Sequence, residues 1–165
     1  MLSVSLAATA TWIERHAVAV LLLIVLALVA SLIPRAHAKP FWHDEVYTVL
    51  ESQFPSLKTL WAAELDGVDL SPPLYTAVIR VVHTVSGVGR VSTRVPSILA
   101  FVGSCVLLFT IVRLRSNAVL GLASALLLQF TAAYRYAIEA RGYEITVFAF
   151  LLAIYAWMKA ERRQN

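Results

Sequence analysis

An uncharged run of 17 residues, from Ala17 to Ile33, constrains the fold of this chain more than any other feature. Ser31 is its only polar member, and a helix rising about 1.5 Å per residue nearly crosses the hydrocarbon core of a bilayer over this length. Residues 95–112 and 118–134 are two further runs without a charged side chain. We predict that all three runs are membrane-spanning helices, which excludes a water-soluble fold.

The composition agrees with a membrane location. Hydrophobic residues make up 59% of the chain and charged residues 15%, and the mean hydropathy is +0.74. The net charge of +4 comes with basic residues beside the apolar runs, where they set membrane orientation, so we expect a lipid bilayer and no nucleic acid as partner. A single cysteine, Cys105, excludes an internal disulfide and is predicted to be a buried packing residue.

A last span is predicted over residues 144–160, where Tyr155 and Trp157 beside Lys159 are typical of a membrane interface. For the span over residues 17–33 the alternative is a cleavable signal peptide, because Ala36-His37-Ala38 has the small-x-small form of a cleavage site. The long apolar run favours a retained helix. We therefore predict an all-α polytopic transmembrane bundle of four or five spans, forming one membrane unit over residues 1–165.

Residues 72–87 form an amphipathic segment that decides the number of spans. Polar side chains such as Arg80 and His83 recur on one side at helical spacing, and valines occupy the other. The segment either lies along the interface, giving four spans, or crosses the membrane with its polar side against other helices. We favour four spans, with a cytoplasmic amino terminus and an extracytoplasmic first loop that contains juxtamembrane helices.

The densest polar cluster, residues 41–48, places Asp44 and Glu45 among aromatic residues just after the first span. Carboxylates that are partly removed from water can serve as general bases. The structural alternative is that Asp44 and Glu45 begin a helix, where acidic side chains complement the helix dipole.

Two further polar clusters follow the first. Residues 66–75 read as a turn leading into the amphipathic helix, and residues 134–144 alternate charges with tyrosines between two spans. For the second of these, a simple interface belt with Arg135 paired to Glu139 is the structural alternative.

Four motifs give the chain a resemblance to a known family. They are His43-Asp44-Glu45-Val46-Tyr47-Thr48, Ser71-Pro72-Pro73-Leu74-Tyr75, Arg94-Val95-Pro96-Ser97 and Glu139-Ala140-Arg141-Gly142-Tyr143. In this order they resemble the amino-terminal part of the GT-C type membrane glycosyltransferases that use polyprenyl-phosphate sugars, in the protein O-mannosyltransferase, aminoarabinose transferase and Rgt-like branch. Two positions depart from the family pattern: Ser71 stands where a histidine or lysine is common, and Gly142 where a proline is common.

The resemblance implies sugar transfer from a polyprenyl-phosphate donor to an unknown acceptor hydroxyl, in a multi-pass protein of the bacterial plasma membrane. Asp44 would be the catalytic base, and Glu45 would hold Asp44 or the acceptor. The same resemblance implies six substrate-binding residues: Tyr47, Asp69, Tyr75, Arg94, Arg141 and Tyr143. No cofactor is implied with certainty, although a divalent metal at His43 and Asp69 stays open as an alternative.

Two functions from other classes remain as alternatives. Members of the resembled family are several times longer, so the chain can also be an inactive fragment, partnered by a missing carboxyl-terminal part, or a small non-enzymatic membrane subunit. A small transporter would use Arg80, His83 and Arg141 as a charged path through the bilayer, but the acids lie outside the predicted spans.

Overall fold

A computed structural model describes residues 2–67 and 73–164 of the chain. These residues form eight α-helices and two short 3₁₀ turns, and no strand occurs among them. The helices are α1 (Leu2–Ala38), α2 (His43–Ser52), α3 (Leu57–Leu65), α4 (Pro73–Ser86), α5 (Val95–Arg115), α6 (Ala118–Leu127), α7 (Ala133–Tyr136) and α8 (Tyr143–Gln164). The all-α prediction is confirmed.

In the part of the chain that the structure describes, three helices are long and apolar enough to cross a membrane: α1 from residue 9 onward, α5 and α8, with mean hydropathies of 3.0, 2.4 and 1.3 over their most apolar windows. Prolines account for two of their ends. Pro40 disfavours helical geometry at the residue before it, and α1 ends at Ala38. Pro96 lies in the first turn of α5, where its missing N–H breaks no helical hydrogen bond.

The apolar run predicted as a span over residues 118–134 is not one continuous helix. α6 ends at Leu127 and is followed by the 3₁₀ turn Leu128–Phe130. Thr131 is extended, and its hydroxyl donates to the Leu128 carbonyl at 2.6 Å and accepts from the backbone of Ala133 at 3.3 Å. A threonine that bonds its neighbouring backbone in this way competes with helical hydrogen bonds, so the chain resumes as the separate helix α7.

The core lies between α1, α5 and α6. Leu32, Phe101 and Leu122 are buried there, and Cys105 is fully buried beside them, as predicted. Gly121 lets α6 approach α5 closely, since a β-carbon at this position would lie 2.9 Å from the Phe109 carbonyl oxygen.

Polar contacts define two ends of the bundle. At one end Glu14 of α1 lies 4.0 Å from Arg113 at the end of α5, and Arg115 lies 3.0 Å from Glu161 near the end of α8. At the opposite end Arg94 joins the carboxyl terminus of α1 to the start of α5, and Glu45 binds the segment before α8, through the bonds described below. Helix α1 therefore runs towards this second end, which we call the polar end, and α5 and α8 both run away from it.

Helix α4 lies across the polar end and does not run along the bundle. Tyr75 in its first turn bonds Ser97 at 3.0 Å, and His83 in its last turn bonds Thr93 at 2.8 Å. Because Thr93 and Ser97 are about one helical turn apart, both halves of α4 are held at the same end of α5.

Polar side chains of α4 face the protein and apolar ones face outward, which is the reverse of a surface helix in a water-soluble protein. Arg80 donates to the carbonyls of Phe54 and Pro55 after α2, and His83 bonds Ser52 at 2.9 Å. The apolar side is exposed, with Val85 85% accessible. A polar side against protein and an apolar side outward suit a helix that rests on the hydrocarbon boundary.

We expect this arrangement to place both ends of α4 on one side of the membrane. In vesicles labelled with a membrane-impermeant maleimide, Ser56→Cys before α4 and Ser86→Cys at its end should react from the same side. Ser116→Cys between α5 and α6 should react from the other side. All three serines are exposed, and the unsubstituted chain is the control because Cys105 is buried.

A crossing α4 gives a different result. Ser56→Cys and Ser116→Cys would then share one side, and Ser86→Cys would react alone from the other. That outcome would contradict the placement of both ends of α4 on one side of the membrane.

Candidate active site

A buried ion pair between Glu45 and Arg94 lies at the centre of the polar end. Glu45 is in the first turn of α2, and Arg94 immediately precedes α5. The Arg94 Nε donates to Glu45 Oε1 at 2.8 Å and its Nη2 donates to Oε2 at 2.7 Å, and neither side chain exposes more than 1% of its surface. This two-point geometry is among the strongest that arginine and carboxylate form.

The remaining donors of Arg94 bind the end of α1. Nη1 donates to the carbonyls of Ala36 at 2.6 Å and Lys39 at 2.7 Å, and Nη2 donates to that of Pro40 at 3.0 Å. A guanidinium has five N–H groups, so every one of them has an acceptor. The contact with a donor phosphate predicted for Arg94 would require displacing one of these bonds, and the geometry instead favours a structural role.

The carboxylate of Glu45 is equally occupied. Oε1 also accepts from the backbone of Ala140 at 2.7 Å, and Oε2 accepts from that of Trp42 at 2.9 Å. Burial raises the pKa of Glu45, but the bonds from Arg94 and from the two backbone amides outweigh it, and the pKa lies below its ordinary value. Glu45 is thus a charged anchor that joins α2, α5 and the segment before α8.

Asp44 is directed away from this pair although it precedes Glu45 in the chain. Successive helical residues are about 100° apart around the axis, so Glu45 can be buried while Asp44 remains 47% exposed. Arg141 approaches Asp44 from the segment before α8: its Nη2 lies 3.8 Å from Oδ2, and its Nη1 donates to the Asp44 carbonyl at 3.4 Å. His43 Nδ1 lies 3.7 Å from Oδ1 on the other side.

Tyr75 supports the backbone on which Arg141 lies. Its hydroxyl pairs with the Ser97 hydroxyl at 3.0 Å, and Ser97 donates to the Arg141 carbonyl at 3.2 Å. Burial raises the pKa of Tyr75, which keeps the phenol neutral. Its hydroxyl faces Ser97, so Tyr75 positions the site from within the protein.

Two other predicted binding residues, Tyr47 and Tyr143, pack against aromatic rings. Tyr47 is partly exposed, and its ring packs edge-on to that of His43. Tyr143 is partly exposed beside Tyr136, with ring centres 4.9 Å apart. Asp69 lies outside the described residues, as does Ser71.

Two acids at the polar end were not predicted as site residues. Glu139 forms an ion pair with Lys39 at 2.8 Å, and Glu144 is buried in the first turn of α8. Both lie in the charged cluster over residues 134–144. Alternating charges occur both in binding sites and at membrane interfaces, so the sequence pattern alone does not identify these two acids as site residues. Among residues 2–67 and 73–164, no group of three or more potential ligands that could hold a metal ion is present.

A comparison with known families assigns the chain to one of them. Residues 71–165 match the sequence model of the dolichyl-phosphate-mannose-protein mannosyltransferase family. The chain belongs to this family. It is therefore a membrane protein of the GT-C glycosyltransferase type. The matched range includes Tyr75, Arg94 and Arg141 and begins after Asp44 and Glu45. No curated protein and no solved structure matches the chain.

Removing the buried cation of this mannosyltransferase-family chain should be costly. Arg94→Ala leaves the Glu45 carboxylate buried without its partner, and we expect a loss of about 3–5 kcal/mol in the free energy of unfolding. Arg115→Ala breaks the exposed pair with Glu161 and should cost at most about 1 kcal/mol. Unfolding of the detergent-solubilised protein measures both, and equal losses would contradict the anchoring role of Arg94.

The lowered pKa of Glu45 predicts a pH dependence of stability. A carboxylate whose folded pKa is depressed stabilises the fold fully above its ordinary pKa, about 4.3, and this contribution is lost as the pH falls through the folded value. The free-energy difference between wild type and Glu45→Gln should be constant from pH 7 down to about pH 5, then shrink. Shrinkage that begins above pH 6 would mean that the folded pKa is raised.

Proposed function

We propose that this chain transfers a sugar from a polyprenyl-phosphate donor to an acceptor hydroxyl on the extracytoplasmic side of the membrane. Family membership supports the reaction class. The site assignment rests on the different environments of two adjacent acids. Glu45 is buried in an ion pair whose hydrogen bonds are all made, and Asp44 is half-exposed beside Arg141.

Asp44 acts as the general base. It takes the proton of the acceptor hydroxyl as that oxygen bonds to the anomeric carbon, and the bond between this carbon and the donor phosphate oxygen breaks. The electron pair of the broken bond leaves with the lipid phosphate. An exposed carboxylate can reach a polar acceptor, whereas both oxygens of Glu45 are already engaged.

Arg141 stabilises the leaving phosphate. Charge grows on the phosphate oxygens as the bond breaks, and a guanidinium can bond two of them at once. Its side chain is 14% exposed and lies 3.8 Å from Asp44, so base and cation can contact the same substrate. Arg94 and Glu45 then act as positioning residues, because they bind the segments that carry Asp44 and Arg141.

The lipid part of the donor has an apolar surface close to this site. A cleft of about 310 Å³ between α3 and α4 is lined by apolar side chains alone: Leu57, Leu60, Trp61, Pro73, Leu74 and Ala77. Since α4 also exposes its apolar side, this cleft is well placed to receive a polyprenyl chain from the bilayer.

The distribution of basic residues supports an extracytoplasmic site. The end of the bundle opposite the polar end carries Arg113 and Arg115 in a short turn, and Lys159, Arg162 and Arg163 near the end of α8. Cytoplasmic segments near membrane spans are rich in lysine and arginine, so that end is assigned to the cytoplasm. We assign the bacterial plasma membrane as the location, as the resemblance implies.

The test of the function is release of polyprenyl phosphate from a radiolabelled polyprenyl-phosphate mannose by membranes containing the chain. Asp44→Asn should slow release by about 10²- to 10⁴-fold, since a general base contributes a factor of this size. Glu161→Gln makes the same chemical change at the opposite end and should leave the rate unchanged.

Two results would contradict the proposal. The first is absence of release by the unsubstituted chain. The second is release by Asp44→Asn at the rate of Glu161→Gln, which would remove the general-base role.

A further inference from the structure

Glu144 is a buried acid that the proposed reaction does not use. Its side chain lies in the first turn of α8 and is 1% exposed. Within the described part of the chain, its Oε2 has no hydrogen-bond partner. Buried polar atoms in native proteins are nearly always paired, because an unpaired one costs the free energy of its lost hydration. An oxygen left open in this way therefore points to a partner from outside.

A cleft of about 450 Å³ opens beside this carboxylate, between α7 and the start of α8. Besides Glu144 it is lined by Ala132, Ala133, Tyr136, Tyr143, Thr146 and Val147. The two tyrosine rings lie 4.9 Å apart and each is at least 40% exposed. The cleft thus combines an aromatic wall with a buried carboxylate and a hydroxyl.

The charge of the cleft restricts the ligand that it can take. Glu144 forms no ion pair with a basic side chain of the described residues. A carboxyl group without a cation beside it offers phosphate no charge partner, and its oxygens accept hydrogen bonds from hydroxyl groups. The aromatic wall adds an apolar surface for the carbon–hydrogen face of a ring.

The cleft is connected to the proposed base through Arg141. Arg141, which bonds the Asp44 carbonyl, is three residues before Glu144, and Tyr143 lies between them in the chain. The α8 side of the cleft therefore begins two residues along the chain from the arginine that contacts Asp44.

We propose that this cleft is a sugar subsite. The Glu144 side chain accepts hydrogen bonds from hydroxyls of a pyranose ring, and Tyr136 and Tyr143 pack against the apolar face of that ring. The inference rests on the proposed function for the arrival of a sugar at the polar end. Glu144 binds and orients the ring, and the proton transfer remains with Asp44.

Binding of methyl α-mannopyranoside to the purified, detergent-solubilised chain tests the subsite, with saturation-transfer NMR as the measurement. Wild type should show saturable binding. Glu144→Gln keeps the shape of the side chain but replaces one acceptor oxygen with a donor, and the apparent Kd should rise about tenfold or more. Tyr136→Leu removes an exposed ring and should weaken binding as well, and Glu161→Gln is the matched control with unchanged affinity.

Outcomes of this experiment separate the subsite from the transfer reaction. Absence of saturable binding by wild type, or wild-type affinity in both Glu144→Gln and Tyr136→Leu, would overturn the subsite. If Glu144→Gln does not fold, Tyr136→Leu alone decides. Sugar binding that depends on Glu144 in a chain that releases no polyprenyl phosphate would refute the proposed function and leave the subsite in place.

Discussion

The pair of Glu45 and Arg94 determines how the segments at the polar end meet. Two charges removed from water lose hydration free energy that their mutual attraction only partly restores, so such a pair rarely adds much net stability over apolar packing. Its larger effect is on geometry, because each hydrogen bond fixes a direction. Arg94 binds the end of α1 and Glu45 binds the backbone at Ala140, so one interaction sets the position of α1, α2, α5 and the approach to α8.

The buried pair also gives Asp44 and Glu45 different environments, although the sequence alone does not distinguish these two adjacent acids. Burial of Glu45 fixes the rotation of α2 about its axis, and that rotation leaves Asp44 at the surface beside Arg141. An exposed carboxylate on a firmly anchored helix keeps a defined direction without losing contact with water. The saturated pair therefore supports the proposed base from one residue away, and it does so without touching substrate.

Much of the fold follows from long apolar runs, because such runs predict membrane helices without any knowledge of tertiary contacts. The all-α architecture and the burial of Cys105 are predictable on this basis. The interruption after Leu127 is not, because it depends on the local bonds of Thr131. The sequence also does not distinguish the roles of Arg94 and Arg141. Only the fold shows that Arg94 binds three backbone carbonyls and is not available to a phosphate.

The orientation of α4 connects the protein fold to the membrane. Its polar side is bound by carbonyls after α2 and by the hydroxyls of Ser52 and Thr93. Because these bonds fix the rotation of α4 about its axis, the apolar side faces outward. Burial lowers the pKa of His83 below its ordinary value, which keeps this contact free of a second positive charge near Arg80. A helix held in this way presents valines to lipid at the polar end, where Asp44 also lies, and the proposed reaction between a lipid-borne sugar and a polar acceptor requires that boundary.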